Sequence, residues 1–250
     1  MTKLLKLRSD LFQLVFSIPT ARTPIIRFMH ASTEINCDLS FMNGLSVENT
    51  KFVKFCYDLQ PISRDAVLLL RCFSNIESLY GEYKICSYAF SMMLLFYMQT
   101  KGWLLSVQRL RSLTNTDVQV IDGWPIIDYN ESVETLKQNV EEYTGGGVYQ
   151  LVKGFFEFYN EFNFEKDVVC PFMGVIVKRK QFNGDGVNLP SEMSVYRKNL
   201  KEGESFRVDD CYMCVQDPFD LSHNLTKAVS SDAVASFKFK CRNVLQMFSH

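Results

Sequence analysis

A short stretch near the C-terminal end of the chain concentrates polar side chains that can do chemistry. Residues 211–227 read CYMCVQDPFDLSHNLTK, and Asp217, Asp220 and His223 follow a short apolar segment within it. Carboxylates accept hydrogen bonds, and an imidazole N–H donates one. The residue types also fit a structural role, because Pro218 and the polar residues after it are typical of a strand that ends in a turn. In that interpretation His223 begins a helix and is hydrogen-bonded to solvent.

A second carboxylate that could do chemistry is Asp38. It stands between Cys37 and Leu39 in a short run that is typical of a β-strand. A carboxylate in such a run either faces solvent or holds a metal ion or a proton.

Further polar residues lie at the predicted starts of helices and along one helix. Their ordinary roles are structural: Asn49 and Ser87 suit helix N-caps, and Tyr88 suits a buried core. The positions concerned are Asn49, Thr50, Arg71, Ser87 and Tyr88.

Residues 211–227 resemble, nearly letter for letter, the final motif of the template-independent RNA nucleotidyltransferases. This superfamily, of the DNA polymerase β type, contains the poly(A) polymerases and the terminal uridylyltransferases. The resemblance covers nearly all of the chain. Residues 21–28 and 34–41 look like the strand pair that delivers the third catalytic carboxylate, and Asp38 takes that place. In active members three carboxylates hold two magnesium ions for attack of an RNA 3′-hydroxyl on an α-phosphate.

The resemblance also implies how a nucleotide would be held. Asn49 and Thr50 match the pair that binds the ribose, and Arg71 matches a residue that reaches the outer phosphates. Ser87 would touch phosphate, and the ring of Tyr88 would stack on the base.

The motif at residues 217–223 would read the base edge. Uracil offers O4 as an acceptor, where adenine presents an amino donor, so a donor at His223 suits uracil. In the family a histidine at this place marks uridine preference, and Asp217 and Asp220 match the positions that accept from the base or orient the histidine. Asp220 stands where a glutamate is commoner. The resemblance therefore implies a pocket for UTP.

The chain also departs from the family pattern. It contains no Gly-Ser dipeptide and no Asp-x-Asp, which carry the phosphate-gripping turn and two catalytic carboxylates in active members, and Asn75 stands where a second basic residue is expected. We therefore expect an N-terminally truncated member, similar in general plan to the monkey king proteins. An isolated Asp38 does not assemble a two-metal site.

Three functions remain open on the sequence. The chain is expected to be a catalytically inactive nucleotide-binding, RNA-binding or interaction protein. Alternatively, it is an active RNA uridylyltransferase, using magnesium and UTP, whose missing part comes from another chain or a longer product. The third alternative is a structural scaffold. A truncated palm would expose a sheet edge and an apolar face, so we expect a homodimer through residues 1–45.

Composition limits the class of protein further. The 250 residues are 47% hydrophobic and 22% charged with a formal net charge of −1, which excludes a disordered chain and a global attraction to nucleic acid. Local basic runs at residues 178–180 and 197–198 are candidate RNA contacts, although such runs are usually solvated. The scattered cysteines and the charged N-terminus predict a cytoplasmic protein, and no apolar run is long enough to cross a membrane.

Hydrophobic periodicity predicts an α+β fold that is mainly helical. The resemblance implies that this fold is a partial nucleotidyltransferase palm followed by a helical central domain. We expect the palm remnant at residues 1–46 and the central domain at residues 47–250, with a poly(A) polymerase-associated segment at about 148–230. Residues 115–130 are expected to form a loop. Predicted helices cover 3–16, 47–57, 61–72, 87–98, 106–113, 132–143, 148–162, 221–230 and 236–248. Predicted strands cover 24–29, 35–41, 168–179 and 211–216.

Overall fold

The protein is described here from a computed structural model that covers residues 1–20, 24–41, 44–114, 119–127, 129, 131–183, 186, 188–200 and 205–247. The chain divides into two compact units, Met1–Gly44 and Leu45–His250. The fold is α+β and mainly helical, as the sequence predicts. Within the described residues no helix combines the length and apolarity that crossing a membrane requires. The cytoplasmic location stays a prediction.

The first unit is built around a small antiparallel sheet. It contains α1 (Thr2–Lys6), β1 (Phe12–Ile18), β2 (Ile25–His30) and β3 (Ile35–Ser40). The strand order is β1-β2-β3, so β2 is central. The β2–β3 hairpin confirms the prediction of two strands joined by a turn, and its register places Arg27 opposite Asp38.

One prediction for this unit is wrong. Leucines at helical spacing predict a helix over residues 3–16, but the helix ends at Lys6 and a strand begins at Phe12. The run Phe12–Ile18 is rich in aromatic and branched residues that favour strands, and β2 offers it an edge on which to pair. Leu14, part of the supposed apolar face, is instead exposed at an irregular step in the pairing. Tertiary pairing therefore overrides the local period.

The second unit is a helical domain whose described residues also form two very short strand pairings and two isolated bridges. Its helices are α2 (Leu45–Leu59), α3 (Ile62–Ile76), α4 (Ser87–Thr100), α5 (Val107–Leu113), α6 (Val133–Lys137), α7 (Val148–Glu161), α8 (Ser194–Leu200) and α9 (Ser231–Met247). Its strands are β4 (Val120–Ile121), β5 (Trp124–Pro125), β6 (Asp167–Val168) and β7 (Val177–Lys178). The predictions of α2 to α5, α7 and α9 are confirmed to within a few residues.

The core of this unit is aromatic. α4 is buried around nearly its whole circumference, which explains its unbroken apolar sequence. α7 packs against α3, α4 and α9, and the buried hydroxyl of Tyr159 on α7 donates to the Met93 carbonyl of α4 at 2.8 Å. The Phe-rich face of α7 is thus core, as the sequence indicates.

Four further predictions need correction. Residues 168–179 are not one strand, because Pro171 and Gly174 turn the chain between β6 and β7; Gly174 has φ of +68°. Residues 211–216 form only isolated bridges through Val215 and Gln216. The helix predicted at 132–143 is shorter and ends at Lys137.

The fourth correction concerns residues 221–230, which form turns and no helix. The side chains of Asn224 and Thr226 bond to nearby backbone groups and so compete with helical hydrogen bonds. Within the predicted loop at 115–130, residues 115–118, 128 and 130 lie outside the described residues, and so does the last residue of the helix predicted at 236–248.

Candidate nucleotide-binding site

The site is organised by α2, which presents a polar residue on its buried face. Phe52 lies on that face with no exposed surface and packs edge-on against Phe219, with 6.1 Å between ring centroids. Asn49 precedes Phe52 by three residues and so lies on the same side of the helix. Its Nδ2 donates a 3.0 Å hydrogen bond to Oδ2 of Asp217. The predicted helix-cap role for Asn49 does not apply, since α2 begins four residues earlier.

The loop that carries Asp217 is closed on itself by hydrogen bonds. Oδ1 of Asp217 accepts from the backbone N–H groups of Phe219 and Asp220, at 2.9 and 3.0 Å. The Asp217 N–H donates to the His223 carbonyl at 3.0 Å, and the His223 N–H donates to the Asp220 carbonyl at 2.9 Å. Asp217, Asp220 and His223 therefore sit on one tight turn. The side chains of Asp220 and His223 are partly exposed, whereas Asp217 is buried.

Burial decides the charge state of Asp217. Removal from water raises the pKa of the Asp217 carboxyl to about 6, although its hydrogen bonds from the two backbone amides and Asn49 act in the opposite direction. The carboxyl is thus close to the point at which it gains or loses a proton near neutral pH. Titratable groups with such shifts are concentrated at functional sites.

Tyr88 supplies an aromatic ring beside this carboxyl. Its pKa lies well above the usual value, mainly because it is buried and next because of the Asp217 charge. Its hydroxyl is buried and has no hydrogen-bond partner among the described residues, and the same holds for Oδ1 of Asn49. Native proteins seldom leave such atoms unpaired. Two orphaned polar atoms therefore flank Asp217.

Ser87 begins α4 next to Tyr88, and it is not the N-cap that the sequence predicts. The N-cap is Cys86, so Ser87 is the first helical residue. Its carbonyl accepts from the Ser91 hydroxyl at 3.1 Å, and its side chain is partly exposed. Ser87 therefore lies beside Tyr88 in the chain but does not cap the helix.

Among the described residues, neither the Thr50 hydroxyl nor the Arg71 guanidinium forms a hydrogen bond or ion pair with the side chain of Asn49 or Asp217. Thr50 is exposed, and its hydroxyl donates back to the Ser46 carbonyl at 3.0 Å. Arg71 is exposed on α3, where its charge partly offsets the rise in the pKa of Tyr57 that burial causes.

Asp38 belongs to the first unit and is held by an ion pair. Arg27 on the neighbouring strand donates from Nε to Oδ1 and from Nη2 to Oδ2, both at 2.7 Å. These hydrogen bonds hold the pKa of the Asp38 carboxyl below its usual value. Both partners are partly exposed, so the carboxylate faces solvent, one of the two possibilities for a strand residue of this type.

The carboxylate at Asp38 and the other described residues do not provide a donor set that fits a magnesium site. Both oxygens of Asp38 are already bonded to a guanidinium, which is a poor starting point for a cation ligand. Searched over the described ranges, the structure contains no group of three or more histidine, cysteine, aspartate or glutamate side chains arranged to hold a metal ion.

Sequence reasoning missed the residues that shape the loop from behind. Gln216 is fully buried, donates to the Leu221 carbonyl at 2.7 Å, and accepts from the Cys170 thiol at 3.0 Å. Asn224 Oδ1 accepts from the Val215 and Thr226 N–H groups, at 3.2 and 3.0 Å. The sequence could have indicated this role, because Gln216, Asn224 and Thr226 each have an apolar neighbour, Val215 or Leu225, in a stretch that follows a short apolar run.

Two protein-family models match the chain. The model described as poly(A) RNA polymerase, mitochondrial-like, central palm domain matches residues 1–58. The model described as Cid1 family poly A polymerase matches residues 148–223. The second match ends at His223 and so includes the whole turn that begins at Asp217.

Similar proteins include two kinds of RNA-tailing enzyme. The speckle targeted PIP5K1A-regulated poly(A) polymerase of Xenopus tropicalis is 28% identical over 235 residues, which are 91% of this chain and 26% of that protein. The human terminal uridylyltransferase 7 is 24% identical over 223 residues, 86% of this chain and 13% of that protein. This chain thus spans about a quarter or less of the length of these two relatives.

The fold is shared with a solved structure, that of mtPAP in complex with UTP. The TM-score is 0.76 at 20% identity, over 100% of this chain and 49% of the mtPAP chain. At this level of identity the comparison shows the fold.

The raised pKa of Asp217 makes a prediction about stability. The folded state keeps this proton between the unfolded pKa of 3.8 and the folded value of about 6, so the contribution of Asp217 to stability is fully present below pH 4 and is lost as pH rises through 6. Asp217→Asn removes the titration, and its amide retains an acceptor for the two backbone N–H groups. The free energy of unfolding of the wild type, relative to that of Asp217→Asn, is expected to fall by about 2 to 3 kcal/mol between pH 4 and 7.

Urea denaturation at a series of pH values measures this difference. Asp65→Asn, which removes an exposed carboxylate on α3, is the control and is expected to show no such trend. A constant difference between wild type and Asp217→Asn across this pH range contradicts the buried, proton-holding Asp217.

Proposed function

We propose that this chain, which belongs to the poly(A) polymerase and terminal uridylyltransferase family of nucleotidyltransferases, binds UTP through the turn at residues 217–223 and does not transfer nucleotides by itself. The observation that carries the proposal is the cluster around Asp217. A carboxyl with a raised pKa is bonded to Asn49, and the orphaned Asn49 Oδ1 and Tyr88 hydroxyl lie beside it. A nucleoside supplies hydrogen-bonding partners for such groups and a flat base for the ring.

Each residue has a distinct role in this pocket. His223, placed on the turn with a partly exposed side chain, donates to O4 of uracil, and an adenine amino group cannot accept that hydrogen bond. Asn49 keeps one amide hydrogen on Asp217 and offers its free oxygen to a ribose hydroxyl. Tyr88 stacks on the base. Recognition of UTP by this chain rests on these roles.

The ion pair of Asp38 supports the second half of the proposal. A carboxylate that neutralises Arg27 through both oxygens is engaged in holding two strands together. Phosphoryl transfer by a two-metal mechanism needs carboxylates free to bind the cations, and the described residues do not assemble such a set. We therefore assign Asp38 a structural role in this chain.

UTP binding is predicted to be stronger than ATP binding, and to depend on His223. Loss of one neutral hydrogen bond, worth about 0.5 to 1.5 kcal/mol, lowers UTP affinity roughly 2- to 10-fold. His223→Ala should therefore lower the affinity for UTP by that factor and leave the affinity for ATP unchanged. Asn49→Ala should weaken UTP binding more than dUTP binding, because both lose the bond between Asn49 and Asp217 but only UTP also loses a ribose contact. Isothermal titration calorimetry with the three nucleotides measures these effects.

Asn139→Ala, which removes an exposed amide after α6, is the matched control for Asn49→Ala. If neither UTP nor ATP binds the wild type, the proposed nucleotide pocket is not functional. That result would favour a structural scaffold. An equal loss of UTP affinity and ATP affinity in His223→Ala contradicts the proposal that His223 recognises the base edge of uracil.

No RNA tailing is predicted for the chain alone. A labelled RNA incubated with the protein, UTP and magnesium is expected to keep its length. Asp38 is bound to Arg27, and the described residues do not form a group of three side chains that could hold a metal ion. Denaturing gels resolve single-nucleotide additions. Addition of uridine that disappears in Asp38→Ala would instead establish an active uridylyltransferase.

We also propose that a second copy of this chain covers the first unit. β1 is an edge strand of the three-stranded sheet, and its Leu14 and Phe16 are 69% and 47% exposed. Exposed apolar edge strands pair readily with another chain, and pairing with an identical copy gives a closed two-fold dimer.

Sedimentation velocity at micromolar concentration is expected to show a dimer for the wild type. Phe16→Lys places a charge in the paired edge and should yield a monomer. Leu68→Lys is the control, because Leu68 is similarly exposed, at 49%, but lies on α3 of the second unit. A monomeric wild type contradicts this proposal without affecting UTP binding.

A further inference from the structure

Two cavities in the second unit adjoin each other at a shared lining residue, and neither is lined by Asp217. Both are lined by Glu165, and each has a volume of about 500 Å³, at 510 and 500 Å³. The first lies beside Tyr212 and Lys238, and the second lies beside Lys166 and the basic run at residues 178–180. We call the two together the α7–β7 groove. None of its lining residues belongs to the nucleotide pocket described above.

The backbone fixes the cations of the second cavity side by side. β6 and β7 pair so that Asp167 lies opposite Lys178. The next residue pair continues this register, since the Arg179 N–H donates to the Lys166 carbonyl at 2.9 Å. Lys166, Lys178 and Lys180 are all exposed. Positive side chains thus line one wall of the cavity on a rigid hairpin.

Glu165 and Asp209 also line this cavity, but its four cations outnumber these two carboxylates. Lys178 pairs with Asp167 at 2.5 Å, but Lys166, Arg179 and Lys180 form no ion pair with any described residue. Arg179 donates from Nη1 to the carbonyls of Val208 and Cys211. Its Nε and Nη2 are buried and have no partner in the described part of the chain.

The first cavity has a different character. Its Tyr212 is 59% exposed, so a large part of the ring is available to a ligand. Its lysine is already occupied, because Lys238 donates to the carbonyls of Tyr159, Asn160 and Phe162 at the end of α7, at 2.7 to 2.8 Å. Glu161 and Glu165 also line this cavity. It therefore offers an aromatic face, while its lysine is engaged by backbone carbonyls.

We propose that the α7–β7 groove binds single-stranded RNA, with backbone phosphates on Lys166 and Lys180 and a base stacked on Tyr212. A basic track next to an exposed aromatic ring is the arrangement by which proteins hold single strands without reading sequence. A phosphorylated protein segment would use the cations but would have no base for the ring. The choice of RNA rests on the proposed function of the chain, whereas the groove itself does not.

RNA affinity and its dependence on salt test this proposal. Fluorescence anisotropy of a labelled 15-nucleotide oligouridine is measured with the full chain in the absence of any nucleoside triphosphate. Each phosphate contact on a single strand contributes about 0.7 to the slope of log K against log salt. The double substitution Lys166→Gln with Lys180→Gln is thus expected to lower that slope by about 1.4.

Tyr212 is tested by its own pair of variants. Tyr212→Ala is expected to weaken RNA binding roughly 5- to 100-fold, the equivalent of one stacked base, without changing the salt slope. Tyr212→Phe keeps the ring and should bind as the wild type does. The two kinds of variant thus separate phosphate contacts from stacking.

Lys137→Gln is the control, because Lys137 is exposed on α6 and lines neither cavity. The proposal is overturned if this control lowers the slope as much as the double variant does. It is also overturned if Tyr212→Ala binds RNA normally, or if a phosphoserine peptide binds the groove and RNA does not. Calorimetry with UTP on the double variant should show unchanged binding, so failure of the groove and failure of the nucleotide pocket are told apart.

Discussion

The hydrogen bond between Asn49 and Asp217 is the contact on which the arrangement of the site depends. It joins α2, near the start of the second unit, to a turn 168 residues later in the sequence. The contact of Phe52 with Phe219 runs alongside it and excludes water from the same junction. Polar groups cost free energy on burial unless they are paired, so this bond compensates for placing a carboxyl and an amide in the interior. Burial at this junction raises the Asp217 pKa, and the hydrogen bond from Asn49 acts in the opposite direction.

A layer of buried polar side chains supports the turn from the other side. Gln216, Asn224 and Thr226 satisfy backbone groups that no helix or sheet ladder reaches, because residues 211–230 contain only isolated bridges and turns. Irregular backbone in a protein interior requires such side-chain partners. Apolar residues close to them in the chain, such as Val215 and Leu221, belong to the hydrophobic core that also contains residues of α4, α7 and α9. The turn is therefore held by hydrogen bonds within the core.

Much of this could be predicted from the sequence, and the failures have physical causes. Most long helices carried a hydrophobic period, α4 carried an unbroken apolar run, and the motif residues Asp217, Asp220 and His223 were singled out by their resemblance to the family motif. Periodicity failed at residues 3–16, where strand pairing with β2 outweighed a helical pattern, and at 221–230, where Asn224 and Thr226 capture the backbone. The ion pair between Arg27 and Asp38 could not be predicted, since it depends on the register of two strands. The meeting of Asn49 with Asp217 likewise depends on how the whole domain folds.

The structure therefore separates two parts that the resemblance treats together. The turn at residues 217–223 carries a buried carboxyl that interacts with the Asn49 amide and the Tyr88 ring, while Asp38 is bound to Arg27. Nuclear magnetic resonance of the ¹⁵N-labelled protein, titrated with UTP and with ATP, tests this account most directly. UTP is expected to shift the side-chain amide signals of Asn49 and the backbone signals of residues 217–223, and ATP to shift them much less. Shifts confined to other regions, or no shifts at all with UTP, would contradict it.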